Sequence, residues 1–174
     1  TGEARTSYKM HHKIAVGLFA LLSACTAIKD TPMTNQLLTI AAECRGNDPC
    51  LFEGQDLFLD IRITNNHRSE IGFPLTYLQK TGPVIRLIDT RTKADTYLKT
   101  NLADFDLREK FTLIHPGKAV VVEWVISSDE LRQFAGPYVD LSAEITVKTG
   151  IQVSGKQVDF RGADTLRIVS KDKP

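Results

Sequence analysis

Two histidines, His67 and His115, are the candidates for proton-transfer chemistry in the body of this 174-residue chain. Each falls in a turn-forming stretch, and no Gly-x-Ser-x-Gly elbow supplies a nucleophile for them. A serine-histidine-acid triad can be assembled from distant turns, but exposed turn residues are the simpler reading of both. Cys44 and Cys50 enclose the short stretch RGNDP. Two thiolates with no histidine nearby cannot complete a tetrahedral metal set, and a redox pair more naturally uses a two-residue spacer. Gly46 and Pro49 help the chain turn back on itself, so a structural disulfide is expected, contributing about 2–2.5 kcal/mol through the small loop it closes. Asp104, Asp106 and Glu109 are close enough in sequence to offer oxygen ligands to calcium. They lack the glycine and the later acid of a calcium loop, which makes a solvated acidic turn the expectation. Paired carboxylates for glycoside cleavage can be found wherever acids are common and decide nothing. No catalytic residue, no metal ligand and no cofactor is assigned.

The aromatic residues point to packing. In residues 119–126 (AVVVEWVI), alternation puts Val120, Val122, Trp124 and Ile126 on one apolar face and Glu123 on the other. Trp124 is therefore expected in the core, with its indole N–H partnered, rather than stacked on a ligand. Phe58 falls on the polar face of its strand, beside Asp60 and Arg62, as a candidate contact residue. Tyr77, Tyr97 and Phe105 lie near strand ends or loops, and the sequence leaves their convergence open.

Period-two alternation, the mark of half-buried strands, dominates the chain. Over 57–64, Leu57, Leu59, Ile61 and Ile63 share one face. Over 139–148, Val139, Leu141, Ala143, Ile145 and Val147 point inward while Asp140, Ser142, Glu144, Thr146 and Lys148 face water. Weaker strands are expected at 37–42, 71–78, 84–89, 96–99, 111–114, 119–126, 157–160 and 165–169. Turn residues separate them at Asn65-Asn66, Thr81-Gly82-Pro83, His115-Pro116-Gly117-Lys118, Thr149-Gly150 and Ser154-Gly155. Pro116 before Gly117 suits a type II turn, which splays a hairpin and fits a link between two sheets. The one helical signal is 127–134, where Ser127 and Glu130 form a capping box ended by Gly136-Pro137. Many short strands with almost no helix predict an all-β sandwich.

The N-terminal region reads as an address. Met10 and Lys13 precede the apolar run 14–22 (IAVGLFALL), far short of the roughly 20 residues a membrane-spanning helix needs and laid out as a secretory signal. Thr1 to Lys9 stand outside this layout, with Met10 the expected start. Leu22-Ser23-Ala24-Cys25 resembles the lipobox of bacterial lipoproteins. That resemblance implies cleavage before Cys25, a diacylglyceride on its sulfur and acylation of the new amino group, so that several chains make the anchor stable. Thr26 in place of aspartate implies, by the Gram-negative pattern, the outer membrane, facing periplasm or surface. Cleavage after Ala27 is the alternative and would release the protein. Export places Cys44 and Cys50 where disulfides persist.

Phe52-Glu53-Gly54-Gln55-Asp56-Leu57 leading to Ile63 and Asn65-Asn66, and Leu113-Ile114-His115-Pro116-Gly117 before Val120-Val121-Val122, resemble stretches of bacterial immunoglobulin-like domains. The resemblance implies an immunoglobulin-like β-sandwich, of the kind found in adhesins, assembly factors and proteinase inhibitors. The expected organisation is a signal peptide with upstream extension over 1–24, a lipidated terminus and tether over 25–35, the β-sandwich with one short helix over 36–169, and a tail over 170–174. With 22 basic and 21 acidic side chains, the chain has no electrostatic footprint for nucleic acid. The expected function is noncatalytic: a lipid-anchored envelope protein that binds a protein partner through a sheet edge or loop. The alternative is an inhibitor of a hydrolytic enzyme presenting the disulfide-closed loop 45–49.

Overall fold

The computed structural model describes residues 1–2, 37–46, 49–134, 136 and 138–171. The chain divides into two units, Thr1–Met33 and Thr34–Pro174, and every described element belongs to the second. Cys25, the lipobox and the tether over 25–35 lie outside the described residues. Among the described residues no helix is long and apolar enough to cross a membrane.

The protein is mostly β, with two short helices. A three-stranded antiparallel sheet is formed by β1 (Leu38–Cys44), β3 (Leu57–Asn65) and β8 (Ala119–Ile126), in the order β1-β3-β8. The second sheet is built on a long hairpin of β9 (Asp140–Val153) and β10 (Lys156–Ser170), which turns at Ser154 and Gly155, both with positive φ. On the free side of β9, β5 (Val84–Asp89) and then β4 (Ile71–Phe73) pair in turn. β6 (Asp95–Tyr97) extends β5, and β7 (Thr112–Ile114) extends β4. β2 (Cys50–Phe52) lies parallel to the end of β10.

Alternation explains the core. Leu59, Ile61 and Ile63 from the first sheet and Leu141, Ala143, Ile145, Val147, Ile85 and Leu87 from the second are fully buried in one hydrophobic cluster. Each full burial of a large aliphatic side chain contributes roughly 1.5–3 kcal/mol. A one-residue slip of either long strand would turn these positions outward, which fixes the register. Asp140 departs from the expected solvent-facing set. It is buried, and Arg167 of β10 covers it with two hydrogen bonds of 3.1 Å.

Three expectations over secondary structure are corrected. Residues 71–78 do not run on as a strand: after Phe73, Pro74 opens helix α1 (Leu75–Thr81), and Gly82 ends it with φ +78°. Proline cannot continue a strand ladder but suits a helix start, and Leu78 supplies the buried contact. The stretches 157–160 and 165–169 are one strand, with Gly162 at a packing position between them. A Cβ there would lie 2.5 Å from Ile40 and 2.7 Å from Phe160. Thr149-Gly150 likewise lies inside β9. Helix α2 (Ser128–Arg132) carries the capping box, with Ser127 and Glu130 bonded reciprocally, as its sequence predicts. The Pro116-Gly117 turn, closed by Lys118 N–H to the His115 carbonyl and with Gly117 at φ +70°, passes the chain from β7 in one sheet to β8 in the other.

The disulfide Cys44–Cys50 is formed. It joins the last residue of β1 to the first of β2, where the chain leaves one sheet for the other. Replacing both cysteines by serine should lower unfolding stability by about 2 kcal/mol through the lost loop constraint; an unchanged denaturation midpoint would show the crossing is held by other contacts.

The β5–β6 turn is tied by Asp89. Its Oδ1 accepts from the N–H groups of Arg91 and Thr92, each at 2.8 Å. Hydrogen bonding from the Thr92 backbone foremost, joined by the Arg91 N–H and its charge, holds this carboxyl below its ordinary range against the opposing effect of desolvation. A carboxyl depressed in the folded state stabilises above its unfolded pKa, and that contribution fades as pH falls through the folded value. Asp89→Asn should therefore show a shallower loss of stability on acidification than the wild type, measured by denaturant titration from neutral pH down. Parallel curves would contradict it.

Candidate functional site

The two long edges of the three-stranded sheet differ, and hydrogen-bond parity shows how. Arg45 N–H bonds the Phe58 carbonyl and Asn66 N–H bonds that of Leu37, so even-numbered residues of β3 face β1. Asn65 N–H bonds the Lys118 carbonyl, so odd-numbered residues of β3 face β8. It follows that on β8 the even residues bond β3. Ala119, Val121, Glu123 and Val125 direct their N–H and C=O groups away from the sheet. The opposite edge, β1, is capped: Ala42 N–H donates to Asp164 Oδ2 of β10 at 2.8 Å. Among the described residues no strand covers β8. Edges of this kind are templates for strand addition.

A groove of about 460 Å³ lies beside the C-terminal part of this edge, lined by Glu123, Trp124 and Val125 on one side and by Gln79, Leu98, Lys99 and Asn101 on the other. Trp124 faces the core side of the sheet as expected, but it is only half-buried and forms part of the groove wall. Its ring lies against Gly82, where a Cβ would overlap Cζ2 and Cη2. Glycine is required there for two reasons, the close approach and the positive φ. On the outer face Phe58 and Val125 are register partners, 52% and 41% exposed, and give the edge an apolar rim.

Next to this rim the three acids Glu43, Asp60 and Glu123 stand in one row across β1, β3 and β8. Like charges in that arrangement repel. Arg45 relieves them by reaching Asp60 at 2.5 Å and Glu123 at 2.6 Å. Asp60 foremost, and Glu123, raise the Arg45 pKa above its ordinary value. The arginine of the disulfide loop is thus held on the sheet face.

The other residues singled out from sequence fall elsewhere. His67 Nδ1 lies 2.7 Å from Ser69 Oγ, and His115 Nδ1 lies 2.6 Å from Glu70 Oε1. The hydroxyl partner and the acid partner therefore belong to different histidines. Asp104 caps the 3₁₀ turn Phe105–Glu109 by accepting from Asp106 N–H; this turn was not legible in the sequence. Among the described residues no group of three or more His, Cys, Asp or Glu is placed to hold a metal ion. Tyr77 and Phe105 converge on Arg108, at 4.8 and 4.4 Å, while Tyr97 lies over Arg86.

No family model matches this chain, and no curated protein matches it. Solved structures give distant likenesses. A Northeast Structural Genomics Consortium target superposes with TM-score 0.39 and 9% identity, over 77% of this chain and 85% of that one. A protein from Archaeoglobus fulgidus gives 0.36 and 11%, over 76% and 96%. A beta-glucosidase from Listeria innocua in complex with glucose gives 0.32 and 10%, over 76% of this chain and 16% of its own length. At these TM-scores none of them assigns a function.

Gly82→Ala should destabilise the fold by about 1–3 kcal/mol, from steric overlap with Trp124 and an unfavourable positive φ, and should shift Trp124 fluorescence. Wild-type stability and an unmoved spectrum would mean the indole does not rest there.

Proposed function

We propose that this chain is a lipid-anchored envelope protein, attached through Cys25, whose immunoglobulin-like β-sandwich binds an extended segment of a protein partner along β8 and performs no chemistry. The observation that carries the reading is the row of N–H and C=O groups at Ala119, Val121, Glu123 and Val125, covered by no strand among the described residues, with a groove beside Glu123 and Val125. Main-chain bonds to such an edge supply affinity, and side-chain pockets beside it supply selectivity. Trp124 and the Phe58–Val125 rim are placed to receive alternate side chains of an added strand.

The immunoglobulin-like assignment is supported by connectivity. β1 pairs with β3 in one sheet, β2 then pairs with β10 in the other, and β5 lies beside β9, a division of strands between two sheets in keeping with that class. The lipid anchor rests on Leu22-Ser23-Ala24-Cys25, and it would raise the effective concentration of the domain toward partners at the membrane. Outer-membrane placement rests on Thr26 alone. An inhibitor presenting the 45–49 loop is less well supported, because Arg45 is engaged with Asp60 and Glu123.

Proline discriminates between the two sides of β8. Val121 points its N–H outward, so Val121→Pro should leave the fold within about 1 kcal/mol of wild type, as proline is tolerated on edges, while abolishing capture of a partner from envelope extract. Val122→Pro removes a ladder bond and should cost about 3 kcal/mol or more. Undiminished capture by a folded Val121→Pro protein would rule out strand addition here. Labelling with a palmitate analogue should mark the wild type and not Cys25→Ser; an unmodified N-terminus at Ile28 would remove the anchor from the account.

A further inference from the structure

Arg108 occupies a cleft without a counter-charge. Its guanidinium stacks over Phe105 at 4.4 Å and Tyr77 at 4.8 Å and donates to the Tyr77 hydroxyl at 2.7 Å. Two ring faces and a hydrogen bond fix the position of the cation and leave other guanidinium N–H donors available. Arg45, Arg62, Arg86, Arg91, Arg132 and Arg167 each form an ion pair with a carboxylate. Among the described residues Arg68, Arg108 and Arg161 form none, and Arg108 forms none although Asp104, Asp106 and Glu109 belong to its own segment.

Lys148 of β9 lines the same cleft and also lacks a carboxylate partner among the described residues. It stands directly opposite Arg161 of β10 in the register, on the exposed face of the sheet, and Arg161 is likewise unpaired with acid. Like charges in directly opposed positions destabilise a sheet. The same face shows the contrasting solution at Arg86, which has Asp95 at 2.7 Å and Glu144 at 3.4 Å. The fold therefore neutralises an arginine at one end of this face and leaves cations facing one another at the other.

The cleft has a volume of about 360 Å³, within the roughly 300–1,000 Å³ typical of small-molecule sites. Thr81, Thr146, Thr149 and Asn101 supply hydroxyl and amide groups to its lining, and Val84 and Leu102 supply apolar surface. Leu102 is fully exposed. Two cations in one lining, several neutral hydrogen-bonding groups and an apolar rim match a ligand with one anionic group, many hydroxyls and a C–H face.

We propose that this cleft binds an acidic sugar, with its carboxylate or phosphate held between Arg108 and Lys148, its hydroxyls on the threonines, and its ring against Leu102 and Val84. The planar guanidinium engages two oxygens of the anion, whereas Lys148 acts as a point charge. The site adjoins the β8 groove through Asn101, but none of its charges lies on that strand, so the variants below leave the β8 edge unaltered.

The test is calorimetric titration of the full chain with glucuronate, glucose 6-phosphate, glucose, inorganic phosphate and hexaglutamate. At least one acidic sugar should bind about tenfold or more tightly than glucose, as a charge-assisted contact provides, and more tightly than phosphate alone. The glucuronate and glucose 6-phosphate arms tell which anion the site reads. R108A and K148E should each weaken that binding by about tenfold or more, and R108K should restore part of it. K148E should at the same time raise the thermal midpoint of the ligand-free protein, because it replaces a like-charge pair with an opposite one. Equal binding of glucose, tighter binding of hexaglutamate, no binding of either acidic sugar, or variants without effect would each overturn the proposal. A lowered midpoint for K148E would do so too, by marking Lys148 as a structural residue.

Discussion

The first strand of this domain is divided between two sheets, and the rest of the structure depends on that division. β1 joins β3, the chain crosses within a few residues, and β2 joins β10 in parallel. The disulfide closes the crossing at its two ends. Because it shortens the path available to the unfolded chain, it acts on the local loop more than on the whole fold. Its structural consequence is larger: β1 is brought against β10, where Asp164 bonds Ala42 N–H and Gly162 admits Ile40 without a side chain between them. One lateral side of the two-sheet arrangement is thereby closed.

The other side is not closed in the same way. β8 arrives from β7 through the Pro116-Gly117 turn, packs its even residues into the ladder and the core, and leaves its odd residues without a strand partner among the described residues on their outer side. α1 and the segment after β6 approach only far enough to wall a groove. Natural sheets usually protect an edge with charge, proline or a bulge. β8 carries a single charge, Glu123, and Arg45 already engages it. An eight-residue edge with one charge, maintained in this state, is a surface suited to recognition, and this asymmetry joins the fold to the proposed function.

Much of the fold is legible in the sequence where alternation is strict. The inward residues of β3 and of β9 follow directly from period two, as does the exposure of Phe58. The capping box of α2 and the sheet-changing turn at Pro116-Gly117 are also local signals. What escaped the sequence was set by distant contacts. The gap between the expected strands 157–160 and 165–169 closes only when Ile40 and Phe160 are seen against Gly162. Asp140 reads as a solvent residue until Arg167 is laid over it. The helix after Pro74 is a single short element whose apolar positions fit either period. The groove at Trp124 and the Tyr77–Arg108–Phe105 stack required knowing which loops meet, and no spacing in the chain encodes that.

Partner recognition by this domain depends most on β8 being an open edge that a partner strand completes. Residue-resolved amide hydrogen exchange on the full chain tests this directly, before and after addition of the partner recovered by wild-type capture. In the free protein the amides of Val121, Glu123 and Val125 should exchange quickly, while those of Val120, Val122 and Trp124, bonded to β3, are protected. With partner bound, the odd-numbered set should become protected in the same alternating pattern. Protection of both sets in the free protein, or odd-numbered amides that stay fast in the complex, would contradict the account.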